Sequence, residues 1–270
     1  MRINTNLNAM IATNQMTKNT ALAGNSMEKL STGLRITKAG DDAAGLAVSE
    51  KMRAQIRGME QAERNVQDGI SMVQTAEGAL EEAGNIAQRM RELGVQAGND
   101  TLSAEDRTKV KEELKQLQDE MTKIADETKF NGKQLLNAAG TFTIQAGANS
   151  ETRTITTADL SDIANNLSLT STNISNASEA QSFVKKVDVA LESINTARSA
   201  LGSMQNRLEY TANNLTTSTE NLTAAESRIR DVDVAKEMVT LSKLNILNQA
   251  SQAMVSQAKQ QPESVSQLLR

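Results

Sequence analysis

Chemistry near neutral pH needs side chains that can hold a proton, a metal or an attacking electron pair, and this chain is short of them. It has no histidine and no cysteine. That removes the commonest general base and metal ligand, all thiolate chemistry, and any Ser–His or Cys–His nucleophile. A His-Glu-x-x-His zinc site is excluded for the same reason. Carboxylates and guanidinium groups remain. Asp41 and Asp42 form an acid pair ahead of an Ala-rich stretch, and Arg228, Arg230, Asp231 and Asp233 cluster far down the chain. An acid pair can hint at metal or acid–base work, but no third ligand type accompanies this one. Acids also suit a helix N-terminus, whose unpaired N–H groups are electropositive. The Arg/Asp cluster reads as ion pairs, either between neighbouring subunits or within one connector. No enzymatic activity, metal or cofactor is expected.

The elements that carry these residues are expected to be long helices. In 270 residues there are three Phe, one Tyr and no Trp, so Leu, Ile, Val, Met and Ala must supply the core. Such side chains suit narrow helix–helix seams better than a thick globular core. The single proline is Pro262, which leaves the preceding residues free of the main helix breaker. The net charge of −4, from 29 basic and 33 acidic residues, provides no basic field for nucleic acid. No stretch approaches the ~20 apolar residues of a membrane span, so no membrane insertion is expected. Residues 1–12 show no apolar core of a secretory signal.

Two heptad blocks carry the fold. Val187, Ile194, Leu201, Leu208, Leu215, Leu222 and Ile229 recur every seven residues, with a mostly small or hydroxylated row offset by three. A helix over 187–232 would be roughly 70 Å long at ~1.5 Å per residue. Upstream, Met52, Met59, Val66, Val73, Leu80 and Ala87 repeat the pattern beside another small row. Large residues opposite small ones let two such helices pack closely. Val110, Leu114, Leu117, Met121 and Ile124 predict a shorter third helix, started by Ser103 as N-cap with Asp106 closing a capping box. Gly98-Asn99-Asp100 reads as the turn before it.

Thr141–Gln145 and Thr152–Thr156 alternate polar and apolar residues around Gly147-Ala148-Asn149-Ser150, which predicts a β-hairpin with a loop of about five residues. Its position midway along the chain predicts a tip joining outgoing and returning helices. Both ends are nearly uncharged and rich in amides and hydroxyls. Residues 1–27 carry only Arg2 and Lys18, and residues 238–270 only Lys243, Lys259, Glu263 and Arg270. Isolated helices of this kind are marginal in water. Few charges suit burial in an assembly, so the ends are expected to be frayed in a free monomer and to fold together on assembly. The plainer reading is two disordered tails.

The chain resembles the bacterial flagellins. The resemblance is carried by MRINTN at the start, the run EKLSTGLRITKAGDDAAGLAVSEKMRAQIRG from Glu28, QRMRELGVQ over Gln88–Gln96, and Phe130-Asn131-Gly132 before Lys133-Gln134-Leu135-Leu136. NRLEYTANNLTTSTENLTAAESRIRDVDVAKEM over Asn206–Met238 and the closing QASQAMVSQAKQQPESVSQLLR complete it. It covers about residues 1–136 and 180–270.

The resemblance implies a mainly α fold: a long antiparallel helical rod with coiled-coil seams, a small β-hairpin at the outer end, and terminal helices pairing as an inner coiled coil. The expected parts are an N-terminal inner helix (1–33), a spoke connector (34–46), N-terminal rod helices (47–136), a short variable insert (137–178), a C-terminal rod helix (179–232) and a C-terminal inner helix (233–270). The implied function is a structural subunit that self-assembles into the flagellar filament for swimming, exported unfolded through a type III apparatus and folded at the tip. A hook–filament junction protein is the alternative, and a helical transducer or adhesin stalk is more remote. Expected polymerisation-core residues are Ile3, Leu7, Ile11, Leu241, Leu247 and Met254. Expected rod-seam residues are Met59, Val66, Val73, Val187, Ile194, Leu201, Leu208 and Leu215. Expected partners are other copies of the chain, a flagellin export chaperone at the C-terminal region, and hook-associated cap and junction proteins. A host's flagellin-sensing Toll-like receptor is implied at Arg89, Leu93 and Glu113. Gly94 replaces a more usual small aliphatic there and is expected to loosen its helix by up to ~1 kcal/mol.

Overall fold

A computed structural model describes residues 6–167 and 174–268, the side chains of 261–268 excepted. In chain order the described elements are α1 (Leu7–Thr32), α2 (Ala43–Ala97), α3 (Ala104–Glu127), β1 (Lys129–Phe130), β2 (Lys133–Gln134), β3 (Thr141–Gln145), β4 (Thr152–Thr156), α4 (Leu160–Asn166), α5 (Ala177–Arg230) and α6 (Val234–Leu268). The fold is mainly α with small antiparallel ribbons. Two compact units form, Met1–Ala54 with Asn221–Arg270, and Gln55–Glu220. The helices α2 and α5, of 55 and 54 residues, contribute to both.

In the Gln55–Glu220 unit, α2 and α5 pack antiparallel. Gly69 lies beside Leu208, Gly84 beside Ile194 and Gly98 beside Ala180, so the numbers rise along one helix as they fall along the other. The α2 rows Met59, Val66, Val73, Leu80, Ala87 and Ala62, Ala76, Ala83, Met90 are buried, as are Val187, Ile194, Leu201, Leu208 and Leu215 of α5. The small row of α5, through Ala197, Met204, Thr211 and Ser218, is half-buried. The third helix starts at the capping box: Ser103 Oγ accepts from the Asp106 amide at 3.2 Å, and Asp106 Oδ2 accepts from Ser103. The Ser103 hydroxyl, which donates to Asp106 Oδ2 at 2.7 Å, and then the Ser103 amide hold the Asp106 carboxyl below its ordinary value. Val110, Leu114, Met121 and Ala125 form its buried stripe.

The β3–β4 hairpin has the expected strands, paired Thr141↔Thr156 through Gln145↔Thr152. Ile144 seats against Gly69 and Ala148 against Gly58, and Asn65 Nδ2 donates to the Gln145 carbonyl at 3.2 Å. The hairpin therefore lies along α2, well before the α2–α3 turn at 98–103. The physical reason is the two glycines. Without a Cβ, α2 offers two notches that a hairpin can enter. A second ribbon, β1–β2, turns at Asn131 and Gly132 with φ of 49° and 78°. Positive φ at both turn residues is the I′ pattern that Asn-Gly favours.

In the unit of the two termini, α1 ends at Gly33, whose φ of 71° is the left-handed cap that glycine tolerates. Beyond it the two connectors pair with each other. Leu34 bridges Asp231, the Arg35 amide donates to the Arg230 carbonyl at 2.6 Å, and the Val232 amide donates to the Gly33 carbonyl at 3.0 Å. The Arg35 guanidinium donates twice to the Ile229 carbonyl. Arg53 pairs with Glu226 at 3.0 Å, and Arg230, nearly buried, pairs with Glu50.

Candidate assembly interface

The acid pair that might have done chemistry is committed to backbone. Asp42 Oδ1 accepts from the Gly45 amide at 2.9 Å, capping α2, whose first residue is Ala43. Asp41 Oδ2 accepts from the amides of Lys38 and Thr37, each at 3.1 Å, and from the Thr37 hydroxyl at 3.0 Å. The Lys38 and Thr37 amides hold its carboxyl below the ordinary value of 3.8. The Arg/Asp cluster works within the connectors. Arg230 pairs with Glu50, Asp231 accepts from Ser227 Oγ at 2.6 Å, and Asp233 caps α6 by accepting from the Lys236 amide at 3.1 Å. Among the described residues no three acidic side chains converge to hold a cation.

α1 and α6 pack antiparallel. Asn6 Nδ2 donates to the Ala258 carbonyl, and Thr20 Oγ1 lies 3.4 Å from Asn248 Oδ1. The stripe α1 turns inward is Ala9, Ala12, Met16, Asn19, Ala23, Ser26 and Leu30, spaced 3-4-3-4 and wholly buried or half-buried. On α6 the matching stripe is Leu241, Leu244, Asn248, Ser251, Val255 and Ala258. Small residues let the two backbones approach. Gln15 Nε2 donates to the buried Asn19 Oδ1 at 3.3 Å, and Thr13, Thr17 and Thr20 return their hydroxyls to carbonyls one turn back.

Of the expected polymerisation-core residues, Leu7 and Ile11 lie outside this seam, each 58% exposed. Leu247 and Met254 are exposed as well, Leu241 is half-buried in the seam, and Ile3 lies outside the described residues. Small and polar residues occupy the 3-4 positions that face α6, which turns the larger aliphatics outward. The Ala/Ser/Asn spacing of α1 could have revealed this seam, as could Leu244, which sequence reasoning passed over. Among the described residues fifteen large apolar side chains are exposed, and eleven lie on α1 and α6: Leu7, Met10, Ile11, Leu22, Met27, Val234, Met238, Val239, Ile246, Leu247 and Met254. A concentration of exposed apolar side chains on one helix pair marks an interaction surface.

The eight expected rod-seam residues, Met59, Val66, Val73, Val187, Ile194, Leu201, Leu208 and Leu215, are all buried. The three residues assigned to a receptor separate. Arg89 and Glu113 are half-exposed and paired at 3.0 Å, with Glu92 also bonded to Arg89. Leu93 is 2% exposed. It continues the buried series Met90, Leu93, Gly94, Ala97, so it is withdrawn from any external surface. Gly94 has a packing reason that the sequence concealed. A Cβ there would stand 2.9 Å from Val184 Cγ2 and 3.2 Å from Phe183 Cδ1, and Phe183 is fully buried.

Comparison with known proteins places this geometry in context. A family model for the bacterial flagellin N-terminal helical region matches residues 3–141, and one for the C-terminal helical region matches 184–269. The chain is 53% identical to a flagellin of Halalkalibacterium halodurans and 48% identical to one of Bacillus subtilis, over the whole of both chains in each case. A flagellar filament 33 kDa core protein of Treponema phagedenis is 45% identical, again over both full lengths. Among solved structures, a Bacillus cereus flagellin aligns with a TM-score of 0.52 at 35% identity, covering 60% of this chain and 94% of that one. A putative flagellar hook-associated protein of Vibrio parahaemolyticus aligns at 0.60 but only 13% identity, over 71% of this chain and the whole of that one, a likeness of fold alone.

Proposed function

The chain belongs to the bacterial flagellins, and from that premise we propose that its work is done by the outward faces of α1 and α6, which stack against other copies. It is a structural subunit that self-assembles into the flagellar filament used for swimming. The observation that supports the reading of the faces is the gathering of eleven of the fifteen exposed large apolar side chains on those two helices. Burial of apolar surface contributes roughly 25 cal/mol per Å², and repeated over many identical contacts it drives a polymer. The α1–α6 seam mixes small and polar residues with a few aliphatics such as Leu30, Leu244 and Val255, so it buries less apolar surface than the seams of the Gln55–Glu220 unit. Its order depends on neighbours, and the ends stay frayed until a subunit reaches the filament tip. None of the described helices is long and apolar enough to cross a membrane.

Export in an unfolded state is what membership of the family implies, and a chain with no cysteine and one proline is compatible with threading. An export chaperone would cover α6 before assembly, and hook-associated cap and junction proteins would meet the same faces at the two ends of the filament. Residues 137–178 form the short variable insert, and the paired connectors 34–46 and 229–233 form the spoke between inner and outer parts. A host's flagellin-sensing receptor would read the exposed Arg89 and Glu113. Electron microscopy of the purified chain before and after adding a precipitating salt tests the assembly reading. Uniform tubes with a central channel are expected. Monomers that never form tubes, even with filament seeds, would move the assignment to a junction protein that needs an unlike partner.

A further inference from the structure

The twelve methionines fall into sharply different environments. Met10, Met27, Met238 and Met254 are 50%, 60%, 51% and 64% exposed, and all four stand on α1 or α6. Met59, Met72, Met90 and Met121 are 8%, 8%, 0% and 0% exposed, and all four lie in the Gln55–Glu220 unit. With no cysteine in the chain, thioethers are its only sulfur. Their susceptibility to oxidants follows exposure.

We propose that Met10, Met27, Met238 and Met254 are sulfoxidation sites in the free subunit, and that their oxidation by a peroxide-class oxidant blocks assembly reversibly. The inference rests on the assembly reading above. A thioether lone pair attacks one oxygen of hydrogen peroxide, the O–O bond breaks, a sulfur–oxygen bond forms, and the departing hydroxide takes the proton from the sulfur-bound oxygen to leave sulfoxide and water. The sulfur is oxidised to the sulfoxide and the peroxide is reduced. The side chain becomes polar, and placing it in an apolar contact without a donor is unfavourable. Because these four side chains are exposed on the terminal helices and lie outside the Gln55–Glu220 unit, their oxidation leaves the core of that unit undisturbed. In the filament the same side chains are covered, so sensitivity is confined to the interval before a subunit is incorporated. Enzymatic reduction of the sulfoxide restores the apolar face.

Limited hydrogen peroxide treatment of the full-length monomer, followed by peptide mass spectrometry and a seeded polymerisation assay, tests this. Oxidation should concentrate on the four exposed sites and spare Met59, Met72, Met90 and Met121. Helical content should be unchanged, and the critical concentration for assembly should rise about tenfold or more, given that ~1.4 kcal/mol of lost contact energy is a factor of ten. A methionine sulfoxide reductase should reverse the rise. The quadruple variant M10L/M27L/M238L/M254L should polymerise equally well with and without peroxide. Even oxidation across both groups, or an oxidised wild-type subunit that polymerises as readily as the untreated one, would overturn the proposal. Failure of the untreated subunit to polymerise would instead count against the assembly reading, so the two are told apart by the control.

Discussion

Arg89 and Leu93 sit one turn apart on α2 and have opposite fates. Arg89 reaches across to Glu113 of α3 and stays half-exposed, while Leu93 is withdrawn into the unit. A motif read as letters gives the two residues equal weight, and burial does not. At this scale the account predicts that Arg89→Ala weakens activation of a flagellin-sensing receptor by about tenfold, as loss of an Arg contact at an interface can, while filament assembly is unchanged. Undiminished activation in a cell-based reporter assay would remove Arg89 from the recognition surface. The acid pair Asp41–Asp42 carries the same lesson. Two adjacent carboxylates invite a metal or a proton, yet backbone amides occupy one oxygen of each. Their role is to shape the connector and start α2.

At the scale of elements, much was legible. Heptad rows marked α2 and α5 because a seam between two helices repeats every seven residues wherever it is built. Ser103 and Asp106 marked the start of α3, because the cap is a local device. The β3 and β4 strands followed from alternation. Three things were not legible. Asn131-Gly132 signals a hairpin turn, but strands of two residues carry no alternation to support it. The α1–α6 seam was hidden because Ala, Asn and Ser interrupt its few aliphatics, which leaves a weak hydrophobic pattern. The docking of the hairpin was hidden because it depends on what α2 lacks. A Cβ on Gly58 would meet Ala148 Cβ at 2.9 Å and its Cα at 3.1 Å, and neither can rotate away. Gly78, by contrast, has nothing within 4 Å. Alanine at a helix interior gains up to ~1 kcal/mol over glycine, whereas overpacking costs ~1–3 kcal/mol. Gly78→Ala should therefore raise the thermal midpoint and Gly58→Ala should lower it. Equal shifts in the same direction by calorimetry would show that the hairpin does not rest on Gly58.

At the scale of the whole molecule, the distribution of apolar surface separates two tasks. The Gln55–Glu220 unit buries its large aliphatics in seams of its own, through Val66, Val73, Leu80, Ile194 and Leu208. The unit built from the termini turns Leu7, Ile11, Val239, Ile246 and Met254 outward, with Ala, Ser and Asn among the residues between its helices. The proposed function assigns those outward side chains to neighbouring copies. Composition alone hinted at this, through ends nearly free of charge and aromatics, but only the faces of the helices show which large apolar side chains are exposed. The most direct test removes residues 1–30 and compares the truncated chain with the full one in a seeded polymerisation assay, with circular dichroism on both. The account predicts a soluble, helical truncated monomer that forms no filaments while the full chain does. Normal filaments from the truncated chain would contradict it, because assembly would then proceed without the α1 face.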